Sequence, residues 1–237
     1  MKTDGVTIIT CTNKPYYMDN IFDNYHKQLW DKKELIIILN RDDFDLNEWT
    51  IKASGYPDVS VFQLESSISL GRCLNFGVEK SKYPYIAKFD DDDFYSPYYL
   101  RSSIRAFNRT KADIVGKRSY YTFFEEDKAL YIRFPNRERS YQKRVAGATI
   151  MFKKKVFKQV SFRDVTLGED YHFLNDCRRK GFKIYSTNRY NYVSIRRSDP
   201  SYHTWIPTKE YIRGTGKFVA YTDDFYKYSV RPISRMS

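Results

Sequence analysis

Pro84-Tyr85-Ile86-Ala87-Lys88-Phe89-Asp90-Asp91-Asp92-Asp93 is a short apolar run that ends abruptly in four carboxylates. Phe94-Tyr95-Ser96-Pro97 then reads as a turn leading into a helix. Adjacent carboxylates repel, and each resists ionising beside the next. Such a cluster is tolerated where water solvates it or where a cation neutralises it. Taken alone, the quartet fits either a wet turn or a metal site. Its position argues for the second, because open α/β sheets place their ligands at the carboxyl ends of buried strands.

On the N-terminal side, residues 6–10 (Val-Thr-Ile-Ile-Thr) are β-branched and read as a first buried strand. Cys11-Thr12-Asn13-Lys14-Pro15 is a polar turn, and a helix is expected over 16–30 with Ile21, Phe22, Tyr25 and Leu29 on one face. A second strand at 35–39 ends in Asn40-Arg41-Asp42-Asp43. A short helix at 46–53, a strand at 59–64 and a helix at 69–80 precede the acidic strand. Strand–helix–strand order implies parallel pairs with right-handed crossovers. The fold class is therefore α/β, with a mainly parallel central sheet flanked by helices. Met1-Lys2-Thr3-Asp4-Gly5 runs straight into the first strand without a signal-peptide core.

On the C-terminal side, Ser96-Pro97 suits an N-cap followed by N1. The helix behind it buries Leu100, Ile104 and Phe107 and shows Arg101, Arg105 and Arg109 as one basic stripe. Residues 113–124 and 130–134 read as strands of a hairpin with a long loop, the start of a smaller mixed β region. Residues 135–144 read as a mobile basic loop, 147–152 as a strand and 153–160 as a short helix. Glu169-Asp170 open a further helix with Phe173, Leu174 and Cys177 inward, stopping at Lys180-Gly181. Strands follow at 183–186 and 190–195. Past Arg197 the pattern dissolves. This divides the chain into a domain over 1–197 and a segment over 198–237, either an ordered arm or a frayed tail.

At 237 residues and 41% hydrophobic content, the chain suffices for one well-cored domain with an appendage. No window approaches the ~18 consecutive apolar residues of a membrane span. Cys11, Cys73 and Cys177 are far apart and lack metal spacing, which reads as reduced thiols in a cytoplasmic protein. The net charge of +12 is concentrated between Arg101 and Lys158, where sixteen Lys/Arg face five Asp/Glu. A basic face attracts nucleic acid, an anionic membrane surface or phosphorylated small molecules.

Three groups could carry chemistry: the quartet, Glu169-Asp170 at a helix start, and His203 beside Thr204-Trp205. Carboxylates at a strand end suit Mg²⁺ or Mn²⁺. A separate carboxylate could act as a general base, and a basic region could cradle a diphosphate. Those are the needs of a transferase that displaces a nucleoside diphosphate.

The sequence resembles the family 2 glycosyltransferases of GT-A fold over roughly residues 4–195. The resemblance rests on ordered motifs: Val6-Thr7-Ile8-Ile9-Thr10 with Asn13, Glu34-Leu35-Ile36-Ile37-Ile38, Gly71-Arg72-Cys73-Leu74-Asn75-Phe76-Gly77, the quartet through Ser96-Pro97, and Gly168-Glu169-Asp170 with Arg179-Lys180-Gly181. It implies a Rossmann-like sheet and a metal-dependent, inverting, hexosyl-type transfer from a nucleotide-sugar, UDP-linked by preference. In that reading Asp92 ligates Mn²⁺ or Mg²⁺, with His203 completing the metal shell. Asp90, Asp91, Thr10, Asn13, Asn40 and Arg72 contact the donor, and Asp170 is the base. Many members carry an aspartate pair after the second strand, where this chain has Leu39-Asn40; an amide oxygen can accept the same hydrogen bond. Arg144 and Arg196 are candidates for electrostatic stabilisation. The acceptor is a glycan, lipid or protein that the residues do not name, peripheral membrane contact stays open, and nucleic acid is not an expected partner.

Two other readings compete. A nucleotidyltransferase acting on sugar phosphates shares the metal-and-nucleotide logic, but the first loop, Cys11 to Pro15, has no glycine. A nucleic-acid-binding module would use the basic middle and the tyrosines, but leaves both acidic clusters unexplained.

Overall fold

A computed structural model describes residues 5–234. The expectation for Met1 to Asp4 and the last three residues of the C-terminal segment lie outside the described residues.

The first half follows the expected alternation. It runs β1 (Val6–Thr12), α1 (Met18–His26), β2 (Lys33–Asn40), α2 (Leu46–Ser54), β3 (Val59–Leu64), α3 (Leu70–Lys80) and β4 (Tyr85–Lys88). Then come β5 (Phe94–Tyr95), α4 (Tyr99–Arg109), β6 (Ile114–Gly116), β7 (Tyr120–Phe124), β8 (Ala129–Arg133), β9 (Ser140–Tyr141) and β10 (Met151–Lys153). The chain continues with α5 (Glu169–Arg179), β11 (Ile184–Ser186), β12 (Tyr192–Arg196), α6 (Lys209–Gly214), β13 (Gly216–Tyr221) and α7 (Tyr226–Ser229).

Eight strands form the main sheet in the order β3-β2-β1-β4-β10-β6-β11-β9. The β3, β2, β1 and β4 strands are mutually parallel, and β10 is antiparallel to both β4 and β6. Alternation along the strands sends side chains to two layers. Ile8, Leu35, Ile37 and Leu39 pack with Phe22, Trp49, Leu100 and Phe107. Ile9, Ile36 and Ile38 pack with Leu74, Val78, Phe173 and Leu174. Helices therefore cover both faces, as a parallel sheet requires.

The second sheet has the order β13-β8-β7-β12-β5 and its own core of Phe94, Tyr121, Phe123, Leu130, Ile132, Val193 and Ile195. Its edge strand β13 pairs with β8 and comes from the segment past Arg197, which lacked periodicity in the sequence. In this sheet β5 pairs antiparallel with β12, directly after the quartet, and anchors its far side.

Four local expectations are corrected. Residues 113–124 are two strands in two sheets, β6 and β7, with the crossing at Lys117 to Ser119. Residues 135–144 are not a free loop, because β9 pairs with β11. The strand expected over 147–152 begins as a 3₁₀ turn at Gly147–Thr149, with β10 only after it, whereas Ser96 caps the start of α4 as expected, its hydroxyl accepting from the Tyr98 N–H at 3.2 Å. The first long helix ends at His26, and Leu29, expected inside, is 44% exposed.

The sheet crossing buries a lysine without an ion pair. Lys117 is fully buried, and its Nζ donates to the Thr187 hydroxyl at 3.2 Å and the Asn188 carbonyl at 2.8 Å. Burial pushes its pKa down to about 7, with Glu138 only partly opposing. Below pH 7 both folded and unfolded chains hold the proton, so stability does not change with pH through this group. Between pH 7 and the unfolded value the folded chain has shed the proton and the unfolded chain has not, so stability rises with pH. Relative to Lys117→Met, the native protein should therefore gain about 2–3 kcal/mol from pH 7 to pH 9. Urea unfolding of both proteins at the two pH values measures this; a pH-independent difference would sink it.

Candidate active site

The quartet lies where the two sheets meet, and the carboxylates divide by what holds them. Asn20 and Asn24, one turn apart on α1, clamp the backbone of the turn. The Asn20 amide donates to the carbonyls of Asp91 at 2.6 Å and Asp93 at 3.1 Å, and the Asn24 amide donates to Asp93 at 2.9 Å. The backbone N–H of Asp90 donates to the Tyr95 hydroxyl at 2.8 Å, which donates onward to the Ala148 carbonyl at 2.6 Å.

Asp90 pairs with Lys88, a buried ammonium that also faces Glu169 at 3.8 Å. Burial opposes charge on Lys88, but Asp90, Glu169 and Asp170 outweigh it and raise its pKa. Asp91 accepts from the Thr12 hydroxyl at 2.5 Å; burial and then Asp92 push its pKa up to about 7. Asp92 meets His203, with Nδ1 2.9 Å from Oδ2. The backbone N–H of Arg197 donates to Nε2 of the same ring at 3.0 Å. Nε2 is therefore the acceptor, and the proton sits on Nδ1 and points at Asp92. Arg197 also donates from its guanidinium to the Asp92 carbonyl at 2.9 Å. Asp93 is buried, accepting from the Tyr192 hydroxyl and from the Ile195 N–H at 3.0 Å.

One carboxylate oxygen from each of Asp90, Asp92 and Asp93 can be chosen so that all lie within 4.8 Å of one another. Burial raises the pKa of Asp90 and Asp93, against Lys88 in the first case, and Asp92 raises both further. These oxygens repel, and a divalent cation among them would reverse that repulsion. Hard oxygen donors of this kind fit Mg²⁺ or Mn²⁺.

Across the cleft stands Asp170. It enters at the start of α5, after Gly168, whose φ of +81° is left-handed and suits glycine. Its Oδ2 would lie 2.2 Å from a β-carbon at Gly147, so Gly147 is what lets the carboxylate occupy this position. The nearest blocking atoms are the Asp170 carboxyl oxygen and carbon, which side-chain rotation can move, with its β-carbon at 3.0 Å. Gly147→Ala should therefore swing the carboxylate out of this position with little change in melting temperature. A crystal structure of the variant and its thermal unfolding check this; an unmoved carboxylate with a lowered melting temperature would mean a packing defect instead.

The cleft encloses about 810 Å³. Asn13, Asn40, Asp90, Asp91, Asp92, Asp170 and His203 all line it. Asn40 donates its amide to the Glu65 carbonyl at 2.7 Å, which fixes which end of the amide is oxygen. Asp42 is turned to Ser66 and Asp43 to Arg41, so neither takes that place. Two proposed donor contacts lie outside the cleft lining. Thr10 is 2% exposed within β1, and Thr12, one strand-repeat later, is the hydroxyl that reaches Asp91. Arg72 faces solvent on α3 beside Asp164. His203, expected as a metal ligand, lines the cleft with its Nδ1 on Asp92 and its Nε2 on the Arg197 N–H. Sequence reading passed over Lys88, Thr12, Asn20, Asn24, Tyr192 and Arg197. Lys88 did leave a signal, as the one charge inside a strand that is buried throughout.

The fold and site define a transferase of mixed α/β architecture. The family model described as glycosyl transferase family 2 matches residues 6–165. The chain belongs to that family and is a glycosyltransferase. It is 27% identical over 187 residues to the Escherichia coli O-antigen biosynthesis glycosyltransferase WbnJ, covering 73% of each chain. Its fold is similar to S. aureus TarS 1–349, with TM-score 0.64 and 13% identity over 81% of this chain and 60% of that one. The same TarS fragment in complex with UDP-GlcNAc gives TM-score 0.62 at 14% identity, over 89% of this chain and 64% of that one. The mannosyltransferase PcManGT from Pyrobaculum calidifontis, in complex with GDP-Man and Mn²⁺, gives TM-score 0.61 at 13% identity, over 83% of this chain and 57% of that one. This chain thus spans less than two thirds of those solved chains. At such identities these structures establish the shared GT-A fold. Among the described residues, no helix is long and apolar enough to cross a membrane.

Proposed function

We propose that the protein transfers a sugar from a UDP-sugar to an acceptor hydroxyl with inversion, using a divalent cation held chiefly by Asp90 and Asp92. The observation that carries this reading is the placement of that carboxylate cluster and Asp170 in one cleft with Asn40. The TarS complex with UDP-GlcNAc and the PcManGT complex with Mn²⁺ support it from similar folds.

When bound, the cation supplies positive charge where the leaving diphosphate becomes more negative. The chain does the rest. His203 holds Asp92 by one oxygen and leaves the other free, an outer hydrogen bond that orients a ligand. The Asn40 amide oxygen accepts the uracil N3–H. Asp170 accepts the proton of the acceptor hydroxyl, whose oxygen attacks the anomeric carbon on the face opposite the diphosphate. Lys88 pairs with Asp90 and opposes the rise in its pKa that burial and Asp92 produce.

The test is thermal unfolding with UDP. At about 100 times its Kd, a ligand adds about 2.7 kcal/mol, or at least 5 °C for a chain of this size. The rise should need Mn²⁺ or Mg²⁺ and should vanish in Asp92→Ala. Equal stabilisation in chelator would overturn the metal assignment.

A further inference from the structure

The cleft has a second wall of opposite charge. Arg118, Arg133 and Arg144 all line it. Arg133 is only 2% exposed, and its Nε has no hydrogen-bond partner. Its guanidinium lies 4.7 Å from the Phe134 ring centre and 5.3 Å from that of Tyr211. Arg118 stacks on the other contact of Phe134, at 3.8 Å. Arg144 lies 5.4 Å from the ring of Tyr171, the residue after Asp170.

Several other arginines of this chain find carboxylates, among them Arg163 with Asp176, Arg189 with Glu138 and Arg213 with Asp127. Among the described residues, no carboxylate pairs with Arg118, Arg133 or Arg144. Burying a cation such as Arg133 without a counter-charge is costly, and two more guanidinium groups on the same wall add to that cost. Burial, then Arg144 and Arg133, indeed lower the pKa of Arg118. Aromatic faces offset part of this penalty, but they leave the in-plane N–H donors unused. Those donors match an oxyanion in a two-pronged fork.

The wall belongs to the acceptor side. The cation nearest in effect to Asp90 is Lys88, and to Asp91 it is Lys14. The arginines instead come from the β7–β8 hairpin, its approach, and the loop that ends at Gly147 against Asp170. We propose that Arg118, Arg133 and Arg144 form a subsite for an oxyanion, phosphate or carboxylate, carried by the acceptor next to the hydroxyl that Asp170 deprotonates. This rests on the acceptor role given to Asp170 above.

The experiment is calorimetric titration of the protein saturated with UDP and Mn²⁺. The probes are glucose 6-phosphate, glucuronate and glucose. At least one charged sugar should bind tenfold or more tighter than glucose, and which one does so identifies the oxyanion. Arg118→Gln and Arg144→Gln, at partly exposed and exposed positions, should each weaken that binding about tenfold. Arg133→Met should abolish it. The Kd for UDP should stay within twofold in all three. Equal binding of glucose, or no binding of either charged sugar, overturns the subsite. Parallel loss of UDP affinity in the variants overturns it too and assigns the arginines to the donor. If UDP itself fails to bind but arginine-dependent anion binding persists in the free protein, the donor reading falls and the oxyanion site stands.

Discussion

Asp170→Asn is expected to lower the rate of sugar transfer by about 10³-fold, or about 4 kcal/mol of barrier, while leaving UDP affinity within twofold. The substitution keeps shape and keeps the bond from the Tyr171 N–H to Oδ1, now 2.7 Å. It removes the basic oxygen that lies against Gly147. It also removes one of the negative charges that act on Asp90 and Glu169, so the fold should not lose stability. The neighbouring Glu169 is the natural rival. Burial, with Asp170 and Asp90 adding to it against Lys88, brings its pKa to about 7, the range a general base needs. Glu169 also lines the cleft, but it is only 6% exposed and faces the Lys88 ammonium, which favours Asp170 as the base. Its carboxyl helps hold the cation that holds Asp90. Glu169→Gln should therefore cost about tenfold or less. Initial rates of UDP release in the presence of acceptor compare the two variants. Full activity in Asp170→Asn with loss in Glu169→Gln would exchange their roles.

The parallel part of the main sheet, β1 to β4, was legible because its signals are local. Apolar runs such as Leu35 to Leu39 and polar breaks such as Cys11 to Pro15 each fit in one short window. Of the second sheet only the β7–β8 hairpin was legible, because the other pairings are distant: β7 lies beside β12, which is some 70 residues later, Val193 opposite Tyr121. Gly116-Lys117-Arg118-Ser119 is a polar break within residues 113–124, but it does not mark a change of sheet, since the β propensity of Tyr120 to Phe124 is the same in either. The site divides in the same way. The two acidic clusters stand out by composition, while the bond between Asp92 and His203 spans 111 positions, and the family resemblance joined those residues only as ligands of one cation. Asn20 and Asn24 show helical spacing, yet attention to the apolar face of α1 hides the polar clamp on the other. The buried Arg133 is the least legible. A sequence reports that Arg133 is charged, but burial and the lack of a carboxylate depend on contacts from several elements.

The quartet itself should split experimentally, and Asp93→Ala is the sharpest case, with an expected loss of about 3 kcal/mol in unfolding free energy. The carboxylate joins the end of the acidic turn to β12 through Tyr192 and the Ile195 N–H. Its removal leaves two buried donors unpaired, each costing about 1–3 kcal/mol. Its nearness to Asp90 and Asp92 makes it resemble a third metal ligand, but both its oxygens are already used. Asp93→Asn separates the two roles. The amide oxygen can still accept from Ile195, and the amide NH₂ can donate to the Tyr192 hydroxyl, which rotates to accept. That variant also removes one charge from a cluster whose members repel. It should unfold within about 1 kcal/mol of the native protein and keep the metal-dependent stabilisation by UDP, which Asp92→Asn should lose. Urea unfolding together with the UDP shift measures both properties. If Asp93→Asn stays folded but loses the metal dependence, Asp93 joins Asp90 and Asp92 at the cation, and the division of the quartet argued from hydrogen bonding fails.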